Sequence, residues 1–132
     1  MGWWWTFGSV PEVNAPTLQA ASQRITQAKQ QQPPAAATAL PTIIDVRTGG
    51  EYEGGHIQHA VNASFLPPWS FPGRVGPLVS SLDKGAEIYV ICLSAHRSIG
   101  ALKYLRTQGF TNVKQLQGGM QEYRRQKLPE VK

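Results

Sequence analysis

Two short, largely apolar runs constrain this chain more than any other feature. Thr42-Ile43-Ile44-Asp45-Val46 and Glu87-Ile88-Tyr89-Val90-Ile91 are rich in β-branched residues and too short to be helices, and Val113 to Leu116 adds a third, more polar strand segment. They read as buried strands. Helical patterns alternate with them. Upstream, Asn14 suits a helix N-cap and Pro16 a first turn, and Leu18, Ala21, Ile25 and Ala28 recur on one face. Pro33-Pro34 must end that helix. A second helix is expected from near Ser98, with Ile99, Leu102 and Leu105 on one face and Gly109 at its end. A last short helix follows Gly118-Gly119 and carries Met120 and Tyr123. Val61 to Phe65 reads as a further short strand, while Gly49-Gly50, Gly54-Gly55, Pro67-Pro68 and Pro72-Gly73 mark turns. Such alternation implies an α/β sandwich whose central sheet is mostly parallel and flanked by helices.

The chain has 132 residues, enough for one core without crosslinks. Residues 1–12 are read as a Trp-rich N-terminal arm, and 13–132 as a single domain with a flexible connector at about 30–41. Trp3, Trp4, Trp5 and Phe7 suit an arm packed on the domain or on a neighbour, the alternative being peripheral contact with a membrane. No apolar run reaches the roughly 18 residues of a membrane span. The single cysteine excludes an intramolecular disulfide and an all-cysteine metal site, and suits a reducing compartment such as the cytoplasm. The net charge of +5 is a weak pull on anionic partners. Arg124, Arg125 and Lys127 cluster near a helix end, but no long basic stripe with aromatics suggests nucleic acid.

Cys92 directly follows the second strand and precedes a helix. Ligands of parallel sheets bind there, at carboxyl strand ends beside helix N-termini. A loop Cys92-Leu93-Ser94-Ala95-His96-Arg97-Ser98 curled around the sulfur would aim backbone N–H groups and a helix dipole at it. Those donors favour the thiolate, the reactive form. Arg97 adds a cation able to grip an oxyanion, and His96 either tunes the rim or faces water. The competing reading is a small core hydrophobe.

The loop resembles the Cys-x-x-Gly-x-Arg-Ser/Thr active-site loop of rhodanese-family sulfurtransferases. Three other segments resemble the same family in order: Ile44-Asp45-Val46-Arg47 with Glu51-Tyr52 and Gly55-His56-Ile57, then Ala60-Val61-Asn62, then Val113 to Tyr123 with Gly118-Gly119-Met120. The resemblance covers about residues 42–125 and implies the rhodanese-like three-layer sandwich. The helix near Asn14 would be the family's first. The chain departs from the pattern at Ala95 and His59, which stand for common glycines, and at Tyr123, which stands for a common tryptophan. Ala95 would strain the loop if a positive φ is needed. His59 and Tyr123 read as packing or surface changes.

The resemblance implies that Cys92 is the nucleophile of a thiosulfate sulfurtransferase. A small anionic donor such as thiosulfate would leave a persulfide, and a thiol or cyanide would accept its sulfur. Neither metal nor organic cofactor is implied. Leu93 to Ser98 would hold the donor, while Asp45, Arg47 and His56 would be structural support. Two rivals remain open. Cysteine phosphatases close their loop with a longer spacer than the four residues between Cys92 and Arg97. A binding or regulatory module, or a dedicated persulfide carrier, would use the same fold without free turnover.

Overall fold

The computed structural model describes residues 11–30, 40–93 and 97–132, with Arg97 described by its backbone alone. Five strands, β1 (Glu12–Val13), β2 (Thr42–Asp45), β3 (Val61–Asn62), β4 (Ile88–Ile91) and β5 (Val113–Leu116), form one sheet in the order β1-β5-β4-β2-β3. Every pairing is parallel. The helices are α1 (Ala15–Gln30), α2 (Gly49–Glu53), α3 (Phe71–Val79), α4 (Arg97–Thr107) and α5 (Gly119–Arg125). The helix expected after Asn14 is α1, whose Thr17 N–H donates to Asn14 Oδ1 at 2.9 Å.

Side-chain alternation divides the core between the two faces of the sheet. Ile44, Val46, Ile88, Val90 and Cys92 pack with Phe71, Val75, Leu102 and Leu105 of α3 and α4. Ile43, Tyr89, Ile91 and Leu116 pack with Leu18, Ile25, Met120 and Tyr123 of α1 and α5. The result is three layers, helices–sheet–helices, as the alternation implied.

Four expectations need correction. Gly49-Gly50 and Gly54, expected as turns, begin and cap α2, because Thr48 and Glu51 make a reciprocal capping box that outweighs the glycines. Pro67-Pro68 and Pro72-Gly73 lead through a single 3₁₀ turn (Pro68–Ser70) into α3. Phe71, Val75 and Val79, four apart and all buried, drive that helix, and Pro72 sits in its first turn, where an N–H is not needed. The strand expected over Val61 to Phe65 is only two residues long. Beyond it Ala63 and Phe65 still donate to the carbonyls of Asp45 and Val46. Finally, Glu12 and Val13, at the border of the expected arm, add an edge strand to β5. The Trp3–Trp5 cluster and most of the connector lie outside the described residues.

Candidate active site

β4 is the central strand of the sheet. The chain leaves β2 towards β3 and leaves β4 towards β5, so the carboxyl ends of β2 and β4 flank a topological switch point, where α/β sheets place ligands. Two residue groups occupy it. Cys92, one residue beyond β4, continues the alternation of Ile88 and Val90 and turns to the α3–α4 face. Asp45 and Arg47, at the end of β2, occupy positions that alternation turns to the opposite face.

Cys92 is 1 % exposed, and its backbone is fixed from the side of α5. Met120 N–H donates to Cys92 O at 2.8 Å and Gln121 N–H to Leu93 O at 3.0 Å. This docking depends on Gly119, whose φ is +62° and where a Cβ would collide with the carbonyls of Cys92 and Leu93. The sulfur itself meets a polar chain. Cys92 Sγ donates to Ser98 Oγ at 3.5 Å, Ser98 Oγ to Gln115 Oε1 at 2.6 Å, and Gln115 Nε2 to Glu12 Oε2 at 2.7 Å. Ser98 and Gln115 are buried, whereas Glu12 is exposed on the edge strand. The register pairs Glu12 with Gln115 across β1 and β5, which aligns the two side chains. Ser94, Ala95 and His96 lie outside the described residues, as does the Arg97 side chain.

Asp45 and Arg47 form a closed pair. Arg47 donates to both Asp45 carboxylate oxygens, at 2.8 Å from Nη2, and to Gly55 O at 2.7 Å. Neither partner is more than 1 % exposed. His56 stacks on Tyr52 with ring centroids 3.7 Å apart, and its Nδ1 lies 2.9 Å from Tyr52 O. A carbonyl only accepts, so Nδ1 carries the proton. His56 also exchanges backbone bonds with Val131 and ties down the C-terminal segment. Burial first, then the Asp45 carboxylate, pushes the Tyr52 hydroxyl above its ordinary value. None of these three support residues contacts Cys92 through a described side-chain bond.

The structure assigns His59 a backbone role that its sequence reading as packing or surface lacks. Its φ is +74°, which explains a glycine at such a position, and Nε2 lies 2.8 Å from Thr26 Oγ1. Tyr123, the other departure, is buried and donates to Pro129 O at 2.9 Å. Among the described residues no group of three His, Cys, Asp or Glu could hold a metal ion. A surface groove of about 450 Å³ lined by Leu40, Asp83 and Glu87 opens near the amino end of β4, and Cys92 is not among its lining residues. Gln115 and Glu12 were missed by sequence reasoning. The signal was slight: a polar residue inside a buried strand.

The family model described as the rhodanese-like domain matches residues 21–126. The chain belongs to the rhodanese-like domain family. Individual relatives agree with this assignment. The chain is 30 % identical to the thiosulfate sulfurtransferase GlpE of Pseudomonas fluorescens, over 70 % of its own length and 82 % of that protein's. It is 35 % identical to the putative sulfur carrier protein YrkF of Bacillus subtilis, over 61 % of its own length. The chain spans only 40 % of that carrier and 23 % of the tRNA uridine(34) hydroxylases that also match. Among solved structures, the rhodanese-like domain of an Anabaena protein superposes with a TM-score of 0.66 at 26 % identity, covering 92 % of this chain and 78 % of that one. No helix among the described residues is long and apolar enough to cross a membrane.

Proposed function

We propose that this protein is a thiosulfate sulfurtransferase working through a persulfide on Cys92. The observation that carries this reading is the position of Cys92 at the carboxyl end of the central strand, in a family with sulfurtransferase members. The Cys92 thiolate attacks the outer sulfur of thiosulfate. The sulfur–sulfur bond to the sulfonate breaks, and sulfite leaves with the bonding electron pair. A thiolate or cyanide then attacks the outer sulfur of the persulfide and regenerates the Cys92 thiolate. In this reading Leu93, Ser94, Ala95, His96 and Ser98 form the loop around the transferred sulfur, and Arg97 orients the sulfonate. Asp45, Arg47 and His56 hold the scaffold. A free thiol of this kind suits the reducing cytoplasm.

Thiocyanate formation from thiosulfate and cyanide tests the reading. Cys92→Ser should abolish it, and Arg97→Ala should weaken the use of thiosulfate more than that of an uncharged sulfur donor. Turnover that survives Cys92→Ser would overturn the mechanism. A dedicated persulfide carrier is the second reading, favoured by the single cysteine, since a persulfide has no internal thiol to resolve it. Transfer from loaded protein to a cell extract, but not to cyanide or small thiols, would select the carrier.

A further inference from the structure

We propose that Glu12 is a positioning residue that, acting through Gln115 and Ser98, sets the polarity of the Cys92–Ser98 hydrogen bond and thereby weighs against the thiolate that the reaction uses. The inference rests on reading Cys92 as the nucleophile. A carboxylate can only accept, so the Gln115 amide must present Nε2 to Glu12 and Oε1 to Ser98. Oε1 also only accepts, so the single hydroxyl proton of Ser98 is committed to it at 2.6 Å. What remains toward Cys92 is a lone pair. A thiol can donate to it, whereas a thiolate would face it unfavourably.

Turning the Ser98 proton onto the sulfur would orphan Gln115 Oε1, and Gln115 is 2 % exposed. A buried acceptor without a donor is costly. Once Glu12 loses its charge, the Gln115 amide can turn over. Nε2 then donates to Ser98 Oγ, and the Ser98 proton serves the sulfur. Glu12, 80 residues before Cys92 in the chain (92 − 12), thus brakes thiolate formation. Other charged groups of the neighbouring elements are the self-paired Asp45 and Arg47 at the end of β2, Arg74 of α3, which donates to the carbonyls of Ser64 and Leu66, and Arg97, Lys103 and Arg106 of α4. Lys114 of β5 bonds Asn112, and Glu122, Arg124 and Arg125 of α5 pair with one another or with Glu130. All of these stay constant in the test.

Cys92 is the single cysteine, so alkylation of the full chain by iodoacetamide reads it alone. In Glu12→Gln, the alkylation pH profile should move to lower pH, with the rate at neutral pH rising about fivefold or more. Removing a negative charge would also favour the thiolate through space. Adding Ser98→Ala separates the two effects, because the relay is cut while the charge change remains. Gln115→Leu, similar in volume, is a second such background should Ser98→Ala fail to fold. The Glu12→Gln gain should shrink in either background to the small part that acts through space. A gain that persists there undiminished, or an unchanged profile in Glu12→Gln alone, overturns the proposal. Because alkylation needs no sulfur donor, a chain inactive in sulfur transfer would leave this result intact.

Discussion

The two strand ends at the switch point solve the problem of buried polarity in opposite ways. At β2, opposite charges satisfy one another, and Arg47 spends its remaining reach on a backbone carbonyl. At β4, the sulfur meets a chain of neutral side chains that ends on an exposed carboxylate. The first arrangement is closed, each charge held by the other. The second is a directional chain whose polarity, in the reading proposed above, the carboxylate fixes. The difference teaches that burial alone does not set what a polar group can do. What matters is whether its buried partners are opposite charges or neutral groups that both donate and accept.

The sharpest way to break this comparison is to open the closed end. Asp45→Ala leaves the Arg47 guanidinium buried without its partner, and stability should fall by about 3–5 kcal/mol. Denaturant unfolding measures it. A loss below about 1 kcal/mol would mean that the pair is no anchor.

A smaller effect is expected at the junction that holds Cys92 against α5. Gly119→Ala puts a methyl group against the Cys92 and Leu93 carbonyls in a left-handed backbone. We expect a stability loss of about 1–3 kcal/mol, with lower sulfur transfer per folded molecule. A folded variant with parental turnover would detach α5 from the positioning of Cys92.

The smallest effect lies at His59, outside both strand ends. Burial first, then Lys29, lowers its imidazole below the usual value of 6.5. The unfolded chain therefore takes up the proton first. The stability contribution is complete above about pH 6.5 and is lost as pH falls through the lower folded value. Asn tolerates the left-handed backbone and does not titrate. The acid-side fall in Tm should be shallower in His59→Asn, and equal slopes would remove His59 from the account.

Legibility in the sequence followed the length and regularity of each signal. β2 and β4 were readable from β-branched runs that pack on both faces, β5 from its place between Gly109 and Gly118-Gly119, and α1 from its cap and its apolar stripe. α2 and α3 were hidden because glycine and proline read as turns wherever a cap or a buried stripe does not outweigh them. β1 was hidden because two residues carry no periodicity, and what makes them a strand is their pairing with β5. In the site, Cys92 was legible from its place after a strand. The Ser98–Gln115–Glu12 chain was not, because it depends on a register between residues 103 positions apart. His59 shows the same limit, since a positive φ is a property of the backbone path and not of a local run.

Mass spectrometry of the intact protein after incubation with thiosulfate tests the central claim most directly. The account predicts a gain of one sulfur atom on Cys92, reversed by cyanide and absent in Cys92→Ser. A parent protein that gains no sulfur at any donor concentration, or gains it equally without Cys92, would contradict it.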